Sequence, residues 1–467
     1  CDSQGEQFDQ RPYRTFTNTV ETLAHLIRST YRDVQENITG NHPRIYRQVR
    51  AGAEIATIAL AKVLPYPNGS FHILNDISII RQVLIYPPLI FNPPMNKRSG
   101  VFERVSHNPL EFVNLKKDDW LCYPARVGPL LIMVYFSLNF FELGFSLSNL
   151  FELADDIDLQ RRPDAVYLFG VPEDQFPKLG KSQTIFYDDD TPDGVLVAAV
   201  PDNPNFGYFG YLKKMILTLH NIKMMKMHRL PYHGAMVNLS LHNKRDYAVL
   251  IIGDTGAGKS ETLEALRTIA SEEVDDITII ADDMGSLELV NDGEKINGYG
   301  TETSAFVRLD DLQPGFAFGQ IDRTIIMSPA QVSARVVIPV TTFETIVKGY
   351  SPDLILYANN YDAIDAEHPI IDRFTNAQDA LDVFRAGSVM SKGTTTTTGL
   401  VNTYFANVFG PDQYKDLHEP LAEEYFKAFF DLNIFVGQIR TRLGMNGYER
   451  SGPEEAARAL LETLMNL

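Results

Sequence analysis

Cysteine is scarce in this chain of 467 residues, since only Cys1 and Cys122 are present. Two cysteines cannot build the disulfide framework of a small secreted protein or a zinc site made of cysteines. We therefore expect a reducing, cytoplasmic location. The N-terminal residues do not have the pattern of a signal peptide. The strongly apolar run 130–136 is too short to span a bilayer, so it predicts a core element and no membrane partner.

Positive charge is also in short supply. The chain has 42 Lys and Arg residues against 60 Asp and Glu residues, which gives a net charge of −18 at pH 7. Binding to a nucleic-acid backbone needs clustered basic groups, so we expect no nucleic-acid partner. Hydrophobic residues make up 44% of the chain, which is typical of a globular protein. The length is enough for two or three domains.

The clearest motif is the segment 253–260, which reads GDTGAGKS and matches the GxxxxGKS pattern of a phosphate-binding loop. The apolar run 248–252 precedes it and good helix formers follow it, so the required strand–loop–helix context is predicted. Gly253, Gly256 and Gly258 permit backbone angles that direct successive amides at phosphate oxygens, beside the positive end of the next helix. A glycine-rich turn without a ligand is the alternative.

Each part of this loop has a predicted role in binding a nucleotide. Lys259 would supply a positive charge to the β- and γ-phosphates, and Ser260 would offer a hydroxyl to a divalent metal. The predicted nucleotide-binding residues of this region are Gly253, Asp254, Thr255, Gly256, Ala257, Gly258, Lys259, Ser260 and Glu261.

Three further features are candidates for a metal site. The apolar run 277–281 predicts a buried strand that ends at Asp282 and Asp283, where a metal-holding carboxylate is expected beside a phosphate loop. A helix cap is the alternative. His233 lies 20 residues before the loop, on a segment that should pair with the loop strand. Its alternative is a core histidine with satisfied hydrogen bonds.

Two adjacent lysines, Lys213 and Lys214, begin an apolar segment that predicts a helix. Because the two side chains point in different directions on a helix, one of them is expected to face inward. The alternative is a surface pair whose aliphatic stems cover apolar neighbours.

The remaining segments predict a mixed α/β protein. Residues 1 to about 65 predict helices, because apolar residues at 18–24 and 51–63 have helical spacing. Short apolar runs predict strands at 166–169, 194–200, 336–338 and 354–357. Residues 414–440 and 453–467 predict helices, the second with Pro453 in its first turn.

The order of these motifs resembles that of phosphoenolpyruvate carboxykinases and of the wider superfamily that includes HPr kinase/phosphorylase. The resemblance covers about residue 205 to the C-terminus. His233-Gly234 and Lys259-Ser260-Glu261 are also similar to HPr kinase. The segments that resemble carboxykinase motifs are 211–214 (YLKK), 230–235 (LPYHGA), 253–260 (GDTGAGKS), 281–283 (ADD), 335–339 (RVVIP), and 386–394 with 405–410.

The resemblance implies a two-lobed phosphoenolpyruvate carboxykinase-like α/β fold. Its N-terminal mixed α/β domain, 1–228, would form the substrate side. Its C-terminal P-loop nucleotide-binding domain, 229–467, would have a mixed sheet. A mobile lid is implied at about 386–399, with Gly387, Gly393 and Gly399 as hinges that let it close and exclude water.

The resemblance also implies roles for the site residues. Lys213 or Lys214, His233 and Asp283 would hold Mn²⁺, and a lysine ligand must be neutral. Ser260 and Asp282 would serve the Mg²⁺ of the nucleotide. The groups implied to stabilise charge on the transferring phosphoryl group are Lys259 and Arg335. Arg450, in 447–450, would lie against the nucleotide base.

The implied reaction is oxaloacetate plus ATP, or another nucleoside triphosphate, giving phosphoenolpyruvate, CO₂ and ADP. One departure concerns the small carboxylate substrate: the family's Gly-Arg-Ser-Pro-Lys-Asp-Lys element is missing, and Arg98 is its nearest counterpart. The segment 297–303 also lacks the family's lysine. A related kinase that phosphorylates another small-molecule or protein hydroxyl therefore remains an alternative. A non-catalytic nucleotide-binding module is another.

Overall fold

A computed structural model gives the fold in two compact units. It describes residues 30, 33–34, 36–40, 44–50, 53–67, 69–86, 89–94, 102–176, 184–242, 244–269, 273–309, 324–330, 334–392, 398–408 and 414–467. Unit 1 comprises residues 1–213 and 304–339, and unit 2 comprises residues 214–303 and 340–467. The sequence prediction placed one boundary after residue 228. The contacts instead divide the chain between Lys213 and Lys214 and assign 304–339 to unit 1.

The described residues form both strands and helices, so the protein is mixed α/β. The strands are β1 Arg44–Arg50, β2 Ala53–Ala61, β3 Ser78–Tyr86, β4 Leu89–Phe91, β5 Glu103–Val105, β6 Trp120–Val127, β7 Leu130–Ser137, β8 Glu152–Leu153, β9 Ala165–Val171, β10 Ile185–Tyr187, β11 Leu196–Pro201, β12 Leu230–Leu241, β13 Asp246–Ile252, β14 Val274–Ala281, β15 Met284–Val290, β16 Lys295–Gly300, β17 Ser304–Arg308, β18 Ile325–Met327, β19 Arg335–Pro339, β20 Leu354–Asn359, β21 Ile371–Arg373, β22 Ser388–Lys392, β23 Thr398–Asn402 and β24 Phe435–Arg440. The helices are α1 Phe141–Ser146, α2 Phe209–Lys226, α3 Lys259–Ile269, α4 Phe343–Val347, α5 Ala377–Ala386, α6 Lys415–Asp431 and α7 Ser451–Met465.

Unit 1 is organised around a large mixed sheet. Its strand order is β1-β2-β3-β6-β7-β9-β11-β10-β5, with β8 paired to β6. All residues of β7, β9 and β11 are buried, as expected for central strands that are covered on both faces. The apolar run 130–136 lies in β7, which confirms that it is a core element. A smaller sheet with the order β17-β19-β18-β4 joins the two segments of this unit.

Unit 2 is organised around a second mixed sheet with the order β16-β15-β12-β13-β20-β24-β21, in which β14 also pairs with β12. Strands β13, β20 and β24 are parallel to one another, and β12 runs antiparallel to β13. Helices α3 and α7 pack against each other, and their apolar residues share a core with β12, β13 and β20. The helix predicted at 453–467 is confirmed as α7.

Two helix predictions are correct only in part, since residues 30, 33–34 and 36–39 and residues 415–431 are helical but other parts of the predicted segments are not. Residues 53–61 form strand β2, which pairs with β1 and β3, because a short run of Ile, Ala and Thr fits a strand as well as a helix and the neighbouring strands decide. The segment 18–24 lies outside the described residues. The helix predicted over 414–440 ends at Asp431, and 435–440 form β24. Asn433, at φ +56°, lies in the turn between them.

No helix within the ranges that the structure describes is both long enough and apolar enough to cross a membrane.

Candidate functional site

Strand β12 brings the candidate site residues of unit 2 together. It pairs with β13 at one edge and with β14 at the other, so the ends of those two strands flank its beginning. The N–H of Gly253 donates to the carbonyl of His233 at 3.0 Å, and the N–H of Gly234 donates to the carbonyl of Asp283 at 2.9 Å. Backbone pairing therefore places His233 between the start of the phosphate loop and the acidic pair.

The predicted strand–loop–helix context of the phosphate loop is confirmed. Strand β13 leads into residues 253–258, and helix α3 begins at Lys259. Gly256 and Gly258 have φ values of +81° and +94°, which favour glycine. A Cβ atom at Gly258 would lie 2.6 Å from the hydroxyl of Thr441, so this position also has no room for a side chain. The loop therefore adopts a conformation that its glycines make possible.

Donors of the protein hold the carbonyl oxygens of this loop. The ammonium group of Lys259 donates to the carbonyls of Gly253 and Asp254, at 2.7 and 3.1 Å. The side-chain amide of Asn360 donates to the carbonyl of Gly256 at 2.9 Å, and the hydroxyl of Thr441 donates to that of Ala257 at 2.7 Å. Because carbonyl oxygens repel an anion, fixing them on protein donors suits the loop to bind phosphate.

Lys214, His233 and Asp283 meet next to the loop. The ammonium group of Lys214 donates to Oδ2 of Asp283 at 2.6 Å, and Nε2 of His233 lies 2.9 Å from Oδ1 of the same carboxylate. His233 is 1% exposed, and the side chains of Lys214 and Asp283 are 16% and 18% exposed. The three side chains predicted to hold a metal therefore converge within unit 2.

The hydrogen bonds of His233 determine what this cluster can hold. Its Nδ1 lies 2.6 Å from the carbonyl of Ala406, which can only accept, so Nδ1 carries the proton. A neutral imidazole then turns the lone pair of Nε2 towards a carboxylate oxygen of Asp283. Nε2 of His233 and Oδ1 of Asp283 are then both acceptors and lie 2.9 Å apart, so a proton or another cation is required between them.

The charge around His233 favours the neutral imidazole. Burial lowers the pKa of His233, and the positive charges of Lys214 and Lys259 lower it further, while its hydrogen bond to Asp283 raises it. A neutral imidazole whose other nitrogen donates to a backbone carbonyl is the usual arrangement of a metal ligand. The donor set therefore fits a transition metal.

The third donor of such a site would be Lys214. In the part of the chain that the structure describes, His, Cys, Asp and Glu side chains alone form no group of three that could hold a metal. His233 and Asp283 would give a metal at this position two protein ligands, and the amine of Lys214, once neutral, would be a third. Asp282 is the half-buried neighbour of Asp283.

Two of the alternative interpretations are wrong. Asp282 and Asp283 lie on a connection between β14 and β15, and no helix begins there, so they are not a helix cap. Lys213 and Lys214 are not a surface pair, because Lys213 is 2% exposed. Lys213 belongs to unit 1, where its ammonium group lies 6.0 Å from the ring centre of Phe306.

The structure places the other predicted residues in different surroundings. Ser260 is exposed in the first turn of α3, next to the half-buried Glu261. Arg335 begins β19 in unit 1, where it pairs across the sheet with Arg308. Arg450 precedes α7, and its side chain is 88% exposed with Nε 3.1 Å from Glu454. Its proximity to a nucleotide base stays a prediction.

The region implied as a lid contains the antiparallel hairpin of β22 and β23. Gly387 and Gly399 have positive φ values of 56° and 89°, and Gly393 lies outside the described residues. Thr403, just after β23, donates its hydroxyl to the carboxylate of Asp254 at 3.1 Å.

Sequence reasoning missed Asn360, Thr403 and Ala406, which contact the predicted site residues from distant parts of the chain. No local pattern marks Thr403, and Ala406 lies in the segment 405–410, which resembles a family motif but was given no role at the site. The position of Asn360 after a buried parallel strand was a usable signal, because ligands often bind at the carboxyl ends of such strands.

A scan of models of known protein families gives no match to the chain, and a search of curated proteins gives no relative.

Proposed function

We propose that this chain catalyses phosphoryl transfer that depends on a nucleotide and a divalent metal. The observation that carries the proposal is the meeting of Lys214, His233 and Asp283 within 2.6–2.9 Å, next to a loop whose carbonyls are held by protein donors. The loop would bind the phosphates of ATP or another nucleoside triphosphate. A two-lobed phosphoenolpyruvate carboxykinase-like architecture is part of the same proposal.

The chain offers residues for two metal ions. Lys214, His233 and Asp283 would hold Mn²⁺, while Ser260 and Asp282 would hold the Mg²⁺ of the nucleotide. Such ions supply positive charge that polarises phosphoryl and carbonyl oxygens when they are bound. The ammonium group of Lys259 would place a fixed positive charge on the terminal phosphates.

The proposed reaction is that of a phosphoenolpyruvate carboxykinase. Cleavage of a C–C bond in oxaloacetate releases CO₂ and leaves the electron pair on an enolate. The enolate oxygen attacks the γ-phosphorus of ATP, and the P–O bond to ADP breaks. Positive charge from Lys259 would stabilise the transferring phosphoryl group.

A kinase with a hydroxyl acceptor is the second candidate. The lack of the carboxylate-gripping arginine motif favours it, because a carboxylate substrate needs such a cation. In this case Asp283, or His233 beside it, would accept the proton of the attacking hydroxyl. The hydroxyl oxygen forms a bond to the γ-phosphorus, the P–O bond to ADP breaks, and ADP leaves.

A module that binds nucleotide without turnover would not need a buried Lys–Asp–His cluster. Keeping a lysine and a carboxylate together at 16% and 18% exposure costs desolvation, which a purely structural role does not explain. The cluster therefore supports an enzyme over such a module.

The test is nucleotide turnover with Mg²⁺ and Mn²⁺, with and without oxaloacetate. Formation of phosphoenolpyruvate with ADP supports the carboxykinase reaction, whereas ADP released only with a hydroxyl compound supports the kinase. Asp283→Asn should lower either rate by at least about a hundredfold. The matched control is Asp275→Asn, at an exposed position of β14, and this variant should have the same turnover rate as the native chain. ATP binding without turnover under any of these conditions would count against an enzyme.

A further inference from the structure

Asn360 occupies a special position beside the phosphate loop. It directly follows β20, the parallel neighbour of β13, and it is completely buried. Its side-chain amide donates to the carbonyl of Gly256 at 2.9 Å and to that of Met390 at 3.0 Å. Its side-chain oxygen accepts from the N–H of Met390 at 2.7 Å. One side chain therefore links the phosphate loop to strand β22.

The peptide group between Gly256 and Ala257 is held at both ends, because the N–H of Ala257 donates to the carbonyl of Asp254 at 3.0 Å and Asn360 donates to the carbonyl of Gly256 at 2.9 Å. Gly256 has φ +81°, and a Cβ atom added there would meet no atom within 4 Å. No side chain packs at this position, so the hydrogen bonds of Ala257 and Asn360 together set the direction of the Gly256 carbonyl. A rotated peptide would turn this oxygen towards a bound anion and repel it. The hydrogen bond from Asn360 holds it in the other direction.

A second contact joins the same two parts of unit 2. The hydroxyl of Thr403 lies 3.1 Å from Oδ2 of Asp254 and 3.2 Å from the carbonyl of Gly387. The other oxygen of Asp254 accepts from the N–H of Thr255 at 2.6 Å. Gly387 and Thr403, which flank the hairpin, are thus hydrogen-bonded to each other, and Thr403 is also hydrogen-bonded to the loop.

We propose that Asn360 is a positioning residue that orients the Gly256 peptide for phosphate binding and couples the loop to the hairpin of β22 and β23. Phosphate binding and hairpin order then stabilise each other, since both depend on the same side-chain amide. This inference rests on the proposed nucleotide binding and adds the residue that aligns the loop. Asn360 itself touches no reacting atom, so its effect is on affinity and on hairpin protection.

The test uses Asn360→Asp, which keeps the shape and the acceptor for the N–H of Met390 but replaces the donor with a carboxylate oxygen facing the carbonyls of Gly256 and Met390. The dissociation constant of ADP should rise at least about tenfold, because a buried hydrogen bond is lost and a repulsion is added. Hydrogen exchange of a peptide that contains Met390 supplies the second measurement. ADP should protect it in the native chain and not in the variant.

The matched control is Asn433→Asp, because Asn433 is exposed and its side-chain oxygen accepts from the guanidinium group of Arg373 at 3.3 Å, which an Asp side chain can still do. This control should bind ADP with unchanged affinity and keep the ADP-dependent protection at Met390. A purely structural role of Asn360 predicts a lower melting temperature with unchanged ADP affinity and unchanged protection. That result overturns the proposal.

A second variant covers the case in which Asn360→Asp does not fold. Thr403→Val removes the hydroxyl at Asp254 and should reduce the ADP-dependent protection at Met390 while its unfolding stays cooperative. Full ADP-dependent protection at Met390 in Thr403→Val overturns the coupling. If the native chain fails to bind ADP, the proposed function fails as well. If the native chain binds ADP and Asn360→Asp binds it with the same affinity, this inference alone is overturned.

Discussion

Replacing Asp283 with Asn perturbs the polar cluster of unit 2 with the smallest change in shape. The carboxylate now accepts from the ammonium group of Lys214 at 2.6 Å and lies 2.9 Å from Nε2 of His233. An Asn side chain still offers one acceptor to Lys214 and a donor to His233. It removes the negative charge that pairs with the ammonium group of Lys214.

The expected cost follows from burial. Breaking a fully buried ion pair costs about 3–5 kcal/mol, because one charge stays buried without its partner. The side chains here are 16% and 18% exposed, and the amide keeps part of the hydrogen bonding. We therefore expect Asp283→Asn to lower the free energy of unfolding by about 2 kcal/mol. Removing Lys214 as well, as Lys214→Met, should recover part of this loss.

The assay is urea unfolding of the native chain, the two single variants and the double variant. A double-mutant cycle should give a coupling energy of about 1.5–3 kcal/mol between Lys214 and Asp283, as for hydrogen bonds between charged groups. Titration with Mn²⁺ should show binding to the native chain and a loss of at least tenfold in affinity in Asp283→Asn. Additive single effects together with unchanged Mn²⁺ affinity would refute the reasoning.

Three other changes test separate parts of unit 2. Lys259→Met should weaken ADP binding by at least tenfold, measured by calorimetry, because the loop loses its positive charge and two carbonyl contacts. Gly234→Ala should destabilise the fold by about 1–3 kcal/mol in urea, since the new Cβ would lie 2.5 Å from the carbonyl oxygen of Ile251. Burial lowers the pKa of His418 from 6.5 to about 4, so the unfolded chain takes up a proton first as the pH falls. Its contribution to stability is complete above pH 6.5 and is lost between pH 6.5 and about 4, by up to about 3 kcal/mol. Replacement by Gln should flatten that part of the measured pH profile, and an unchanged slope would contradict the assignment.

Local patterns in the sequence were enough to predict the phosphate loop and its surroundings. Apolar residues at 248–252, three glycines and a run of helix formers each favour one backbone conformation, so neighbours along the chain define strand, loop and helix. The same holds for the strand that ends at Asp282 and Asp283. The helix predicted from apolar spacing at 53–61 was wrong, because a short apolar run is compatible with a helix or a strand and pairing with β3 decided for the strand.

The tertiary structure alone decided which groups meet. Sequence reasoning left Lys213 and Lys214 as equal candidates, and the rotational phase of α2 turns Lys214 towards Asp283. The contacts of Ala406 with His233 and of Asn360 with Gly256 join residues 173 and 104 positions apart. Such contacts depend on the register of β12 and on where β20 ends in the sheet. Conformational preference acts between neighbours along the chain, whereas these hydrogen bonds exist only after the sheet has formed.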